Sequence, residues 1–204
     1  MKAYSQELFE TLVRLLKKAI DVNYEPLQEE VMNLLSASAQ VIESEFSKYY
    51  NVLMPLMMQI LDNIGTANMQ QMTLRARTIE TMGYMIAAVA EEKEAFKDSV
   101  HQIARSLVQV LSTVTSDDPQ GLAIKEAMSR IAYFLKEDFH AYFAQVLPSL
   151  LSDSQQKIDI KMTSAEEAGG EGFTLKVKGF EGEQRISMNT SALESKVAAF
   201  KLLQ

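Results

Sequence analysis

Apolar residues recur every three to four positions along most of this chain, the pattern of helices that bury one face. The period predicts eight helices. The first covers Ser5 to Ile20, with Ser5 as cap and an acidic first turn at Glu7 and Glu10. The second opens at Pro26, a residue suited to a first turn, and runs to Glu43. The third spans Lys48 to Asn63, with Pro55 expected to bend it. On the fourth, Gln70 to Glu92, Ile79, Met82, Ile86 and Val89 make one stripe. The fifth covers Glu94 to Thr113, the sixth Pro119 to Lys136, and the seventh Asp138 to Leu151 with a second bend at Pro148. The eighth opens near Ser191, and its period through Leu193, Val197 and Phe200 reaches Gln204 with no capping Gly. That ending reads as a piece cut from a longer array of helices.

Residues 152–190 break the pattern. Five of the eight Gly fall between 169 and 182, and Phe173, Leu175 and Val177 alternate with polar residues as a strand does. Gly179 to Gly182 would turn that strand back onto Arg185–Met188, making a short β-hairpin. The expectation is a long Gly-rich insertion, with 152–170 mobile or extended and the hairpin packed on helices. An insertion that works on one face and a tolerated surface loop fit equally well.

Two sequence ladders run through the helices. Phe46, Tyr49, Tyr50 and Pro55 share a frame with Phe139, Tyr142, Phe143 and Pro148, and Phe96 heads a weaker copy between them. Glu30-Val-Met32, Glu80-Thr-Met82 and Glu126-Ala-Met128 make the second ladder, on the alternate helices. Periods between 43 and 50 residues are those of helix-turn-helix units of the HEAT or armadillo size. The expected fold is therefore all-α: a HEAT-repeat α-solenoid, a right-handed superhelix segment of about four helix pairs. Its repeats would be about 5–45, 46–94, 95–137 and 138–204, forming one domain with 152–190 as an insertion in the last.

Composition narrows the chemistry. Among 204 residues there is no Cys, which excludes a disulfide scaffold, a thiolate zinc site and thiol catalysis. His101 and His140 stand in no Glu-x-x-His or His-x₃-His frame and read as surface or capping residues rather than ligands. No nucleophile elbow or phosphate loop frames the Ser, His and Asp present. A net charge of −7 speaks against a nucleic-acid surface and suits a basic partner. No apolar run reaches eighteen residues and the first ten lack a signal-peptide core, so a soluble intracellular chain is expected. Neither a cofactor nor a metal is expected, and binding is favoured over catalysis.

The ordered strings Phe46-Ser-Lys-Tyr-Tyr-Asn-Val-Leu-Met-Pro55, Leu74-Arg-Ala-Arg-Thr-Ile-Glu-Thr81, Asp118-Pro-Gln120 and Met188-Asn-Thr-Ser-Ala-Leu-Glu-Ser-Lys196 resemble successive stations of the karyopherin-β nuclear import receptors. The branch they resemble is importin beta-3. The similarity covers nearly the whole chain outside the Gly-rich insertion, which is less acidic than the family's linker at that place. The resemblance implies a central HEAT-repeat fragment of a receptor that shuttles between cytoplasm and nucleus. Such receptors hold basic cargo on an acidic concave surface, bind phenylalanine–glycine nucleoporins on the convex side, and release cargo to the GTPase Ran in its GTP form. Direct nucleic-acid and membrane partners are not implied.

On that reading Glu80, Glu126 and Glu30 are the candidate cargo-binding residues, one carboxylate per even-numbered helix facing lysines of an import signal. Glu80 alone matches the family pattern. The other two rest on repeat equivalence, and Ala199 stands where a fourth Glu would fall. A solvated helix face accounts for the same ladder. The methionines between Met54 and Met85 read as core rather than a groove. Arg75 and Arg77 are expected to pair with acids of neighbouring repeats, and Glu91–Glu94 to form a solvated corner. Two other classes remain to be weighed: a HEAT scaffold that assembles an enzyme such as a phosphatase, and a helical-bundle metalloenzyme.

Overall fold

The computed structural model describes residues 5–42, 46–115, 117–155, 160–164, 173–175, 184–188 and 190–203. Among them lie α1 (Ser5–Asp21), α2 (Glu25–Ile42), α3 (Ser47–Asn63), α4 (Met69–Ala88), α5 (Lys93–Leu111), α6 (Gln120–Leu135), α7 (His140–Gln155) and α8 (Thr190–Leu203). Three strands lie between α7 and α8: β1 (Ile160–Ser164), β2 (Phe173–Leu175) and β3 (Gln184–Met188). The chain forms two compact units, Met1–Pro148 and Ser149–Gln204. Helices α3 and α7 continue through Pro55 and Pro148.

In the first unit the helices pack in chain order. α1 packs on α2, α3 on α4 and α5 on α6, while α2, α4 and α6 form one row. The stripe read from the sequence is the core: Ile79, Met82 and Ile86 are fully buried, joined by Met32 and Leu35 from α2 and Ile124 and Met128 from α6. Each such side chain contributes roughly 1.5–3 kcal/mol by leaving water. Met54, Met57, Met82 and Met85 are buried as expected, whereas Met69 is exposed. At the start of α4, Asn68 accepts from the Gln71 amide at 2.9 Å, and the Gln71 side chain accepts from the Ala67 amide at 3.2 Å. One free amide of the first turn and one just before the helix are thereby satisfied.

The aromatic ladder stitches the odd-numbered helices together. Phe9 meets Phe46 edge-on and stacks on Tyr49, with centroids 5.4 and 4.3 Å apart. Tyr50 lies 4.5 Å from Phe96, and its hydroxyl meets that of Ser99 at 3.2 Å. Burial pushes the Tyr50 phenol up to about 12, against the smaller opposing pull of the Ser99 bond. The next joint is made by His101 and Tyr142, with Nδ1 and Oη 2.7 Å apart. His101 is thus a link between α5 and α7, while Nδ1 of His140 lies 2.7 Å from the Glu137 carbonyl.

The even row is held more tightly. A Cβ at Gly83 would fall 3.1 Å from Cα of Ala127, so the absent side chain is what lets α4 and α6 approach. Between α2 and α4 the hydroxyls of Ser36 and Thr81 share a buried bond of 2.9 Å. Arg75 is buried at the meeting of α3, α4 and α6. It donates to the carbonyls of Leu61 and Ile64, the latter at 2.7 Å, and through Nε to Gln120 at 2.7 Å. Asp118 holds Gln120 in turn, accepting from its backbone amide at 2.8 Å and from its side-chain amide at 2.9 Å. Desolvation lowers the Arg75 pKa, and the charges of Asp118 and Asp62 oppose that shift.

The arginines correct one expectation. Arg75 bonds neutral acceptors rather than a neighbouring repeat's acid, because the C-terminal end of α3 offers unpaired carbonyls that cost most if left dry. Arg77 pairs within its own helix, with Glu80 at 2.7 Å. The Glu91–Glu94 corner is exposed at Glu91, Glu92 and Glu94 and contains the 3₁₀ turn Ala90–Glu92.

In the second unit the strands form one antiparallel sheet in the order β1-β3-β2. Phe173 faces Ile186 and Leu175 faces Gln184, the hairpin pairing that the alternation predicts. The turn expected at Gly179–Gly182 lies outside the described residues. β1 was not legible as a strand; it pairs along β3 from Ile160 opposite Met188 to Ser164 opposite Gln184. Residues 152–155 extend α7 rather than beginning an extended segment.

Candidate functional site

The outward face of the even row carries the three candidate carboxylates. Facing positions across its joints lie 44 or 45 residues apart: Ser36 with Thr81, Arg75 with Gln120, Gly83 with Ala127. Glu80 and Glu126, 46 apart, therefore come to nearly one level on adjacent helices. Glu30 and Glu80 are 50 apart, five more than Ser36 and Thr81, which sets Glu30 about 7.5 Å out of level at about 1.5 Å per residue. That register puts Glu80 and Glu126 near one level and leaves Glu30 off it. Glu30 is exposed, and Glu80 and Glu126 are half-buried.

The two level carboxylates differ in their surroundings. Glu80 accepts from Arg77 one turn before it, at 2.7 Å. One turn beyond Glu126, the Arg130 guanidinium lies over the Tyr84 ring at 4.0 Å, a cation–π contact that spans α4 and α6. Tyr133, two turns beyond Glu126 on the same helix, is 76% exposed. The face is therefore mixed: two carboxylates, two arginines already engaged, and tyrosine rings. Sequence reasoning singled out the carboxylates and missed Tyr84, Arg130 and Tyr133, for which the spacing was the available signal: i+4 from Glu80 for Tyr84, and i+4 and i+7 from Glu126 for Arg130 and Tyr133.

On the other row, α3 and α5 enclose an open groove of about 410 Å³. Tyr50, Met54, Pro55, Met58 and Ile103 give its apolar walls, and Asn51, Gln59, Asn63 and Gln102 its amide rim. Asp62 is the one charged residue that lines it. Among the described residues no cluster of three His, Asp or Glu is placed to hold a metal, and no helix is long and apolar enough to cross a membrane.

The family model described as importin subunit beta-1-like, TPR repeats, matches residues 1–168. The chain belongs to the importin-β (karyopherin-β) family. Importin subunit beta-3 of Saccharomyces cerevisiae is 27% identical over 188 residues, 87% of this chain and 16% of that protein. A probable importin-5 homolog of Dictyostelium discoideum is 30% identical over 149 residues, 73% of this chain and 13% of that protein. The chain thus spans less than a fifth of the length of these importins. Kap121p bound to Pho4p superimposes with a TM-score of 0.74 at 25% identity, over 98% of this chain and 18% of Kap121p. Kap121p bound to RanGTP does so with a TM-score of 0.69 at 26% identity, over 99% of this chain and 18% of Kap121p. These likenesses place the chain in the importin beta-3 branch, and its fold is the HEAT-repeat α-solenoid of that branch.

Proposed function

We propose that this importin-family chain is the central part of a nuclear import receptor, and that the face of α2, α4 and α6 receives lysine-rich cargo segments. One observation carries the reading: Glu80 and Glu126 stand level on adjacent helices whose backbones approach closely at Gly83. Packed helices sit 8–10 Å apart, which an extended peptide covers in about three residues at ~3.3 Å each. Lysines spaced two to four residues apart therefore meet both carboxylates. Glu80 already has Arg77 as a partner, so Glu126 is the stronger of the two, and Glu30, off the level, is the weakest. Each exposed contact is worth about 0.2–1 kcal/mol.

The relatives support the reading by what they bind. Kap121p has been crystallised with Pho4p, Ste12p, Nup53p and RanGTP. By that likeness the partners of this chain, within its full-length receptor, are basic cargo, Ran and phenylalanine–glycine nucleoporins, and its place is the cytoplasm, the nuclear pore and the nucleus. The groove between α3 and α5, with Asp62 as its charge, suits an apolar side chain of an extended nucleoporin segment, with the amide rim bonding its backbone.

The test is binding of a lysine-rich peptide to the double variant Glu80→Lys, Glu126→Lys. Affinity is expected to fall several-fold, and further at low salt than at high. A Kap121p variant with two aspartates and one glutamate changed to lysine matches this chain with a TM-score of 0.73. Charge reversal of this kind is therefore compatible with the fold. A folded double variant that binds as tightly as the parent at low salt would leave the carboxylates as a solvated face. A HEAT scaffold without a transport role would bind neither lysine-rich nor phenylalanine–glycine peptides.

A further inference from the structure

The joints of the first unit are closed by two different kinds of contact. At the meeting of α3, α4 and α6 the closure is buried: Arg75 holds two carbonyls and Gln120, with Asp118 behind. Between α5 and the corner joining α6 to α7 the contacts are only part-buried, and the ion pair among them is exposed. Lys93, Lys97 and His101 stand four residues apart, so they share one face of α5. Lys93 donates to the Leu135 carbonyl at 3.2 Å, one of the last carbonyls of α6. Lys97 pairs with Asp138 at 2.7 Å, with side chains 33% and 42% exposed. His101 meets the Tyr142 hydroxyl at 2.7 Å, and that hydroxyl lies 3.2 Å from the His101 carbonyl.

The corner itself is strained. Lys136 has φ of 54°, a conformation that costs a side-chain-bearing residue. Strain of this kind persists only where surrounding contacts hold it, and here the Lys93 and Lys97 contacts flank it on both sides. Screening by salt reaches an exposed ion pair and hardly touches a buried hydrogen-bonded guanidinium. We propose that the row Lys93, Lys97 and His101 is a latch whose exposed Lys97–Asp138 pair makes the α6–α7 corner the salt-releasable joint of this stack, while the Arg75 joint stays locked. The inference is independent of what the carboxylate face binds.

Hydrogen exchange read by mass spectrometry on the whole chain tests it. The comparison is between residues 134–143 and residues 72–80, at about 0.01 M and about 1 M salt, where the Debye length is ~30 and ~3 Å. Amides at 134–143 are expected to exchange several-fold faster at high salt, with those at 72–80 unchanged after correction for intrinsic rates. Lys97→Glu is expected to give the same local rise at low salt, and the swapped pair Lys97→Glu, Asp138→Lys to reverse it. The proposal is overturned if Lys97→Glu leaves 134–143 protected, if both regions loosen together, or if the swap fails to restore protection.

Discussion

Arg75 is a charged side chain whose hydrogen-bond partners are neutral. Its three acceptors come from α3 and α6, so a single guanidinium closes a junction that apolar packing alone would leave with dry carbonyls. Arg75→Met fills the space but strands the Leu61 and Ile64 carbonyls and the Gln120 amide oxygen. We expect a loss of about 2–4 kcal/mol in denaturant unfolding. Gln120→Leu, which removes one acceptor, is expected to cost less. At Gly83 the constraint is space, since Ala127 lies where a side chain would begin. Gly83→Leu is expected to destabilise by about 1–3 kcal/mol through overpacking, despite the helix propensity that Leu adds. Tyr50 gives a pH signature. Its folded pKa of about 12 lies above the ordinary value of 10, so the unfolded chain loses the proton first. That contribution is whole below about pH 10 and is lost as pH rises toward 12, roughly 2–3 kcal/mol in all. Stability curves of the parent and Tyr50→Phe measured from pH 9 to 12 should draw apart by about this amount in all.

Element by element, the helices were legible and their joints were not. Each helix falls within a few residues of its pattern because a stripe such as Ile79, Met82 and Ile86 is both the cause of burial and its visible trace. β1 left no such trace. Ile160 and Met162 supply only one alternation, and the strand exists because β3 offers it a partner. The level of Glu30 was hidden for another reason: spacing along a sequence counts loop residues together with helical ones, whereas Thr81 against Ser36 and the Met32 carbonyl fixes the height of α2 beside α4. The acceptors of Arg75 are mostly backbone carbonyls, which every residue has. At the α6–α7 corner the charges do carry a direction. The hydrogen bond that Lys97 donates holds the Asp138 carboxyl below the ordinary range, and the same bond raises Lys97. The ion pair therefore stabilises the corner fully above the unfolded carboxylate pKa near 4, and is lost as pH falls through the depressed value. Carbon-13 titration should place Asp138 below the exposed aspartates, and Lys97→Met should return it to them.

At the scale of the whole molecule the two units differ in the order in which their pairing partners come along the chain. A helix pair such as α1 and α2 needs only its own turn, and each later pair docks on one already formed. The sheet is wired the other way. β1 and β2 both pair with β3, and β3 comes after both of them in the chain. On a ribosome, therefore, helices α1 to α6 can close as they emerge, whereas β1 and β2 wait, without the strand they need, until residue 188 has left the exit tunnel. A chain released at residue 183 would keep its helix pairs and lack the centre of its sheet, so nascent chains of increasing length should gain protease resistance in steps through α6 and then in one late step past Met188. The order in which strands are written, rather than their strength, sets when this part of the protein first acquires a shape.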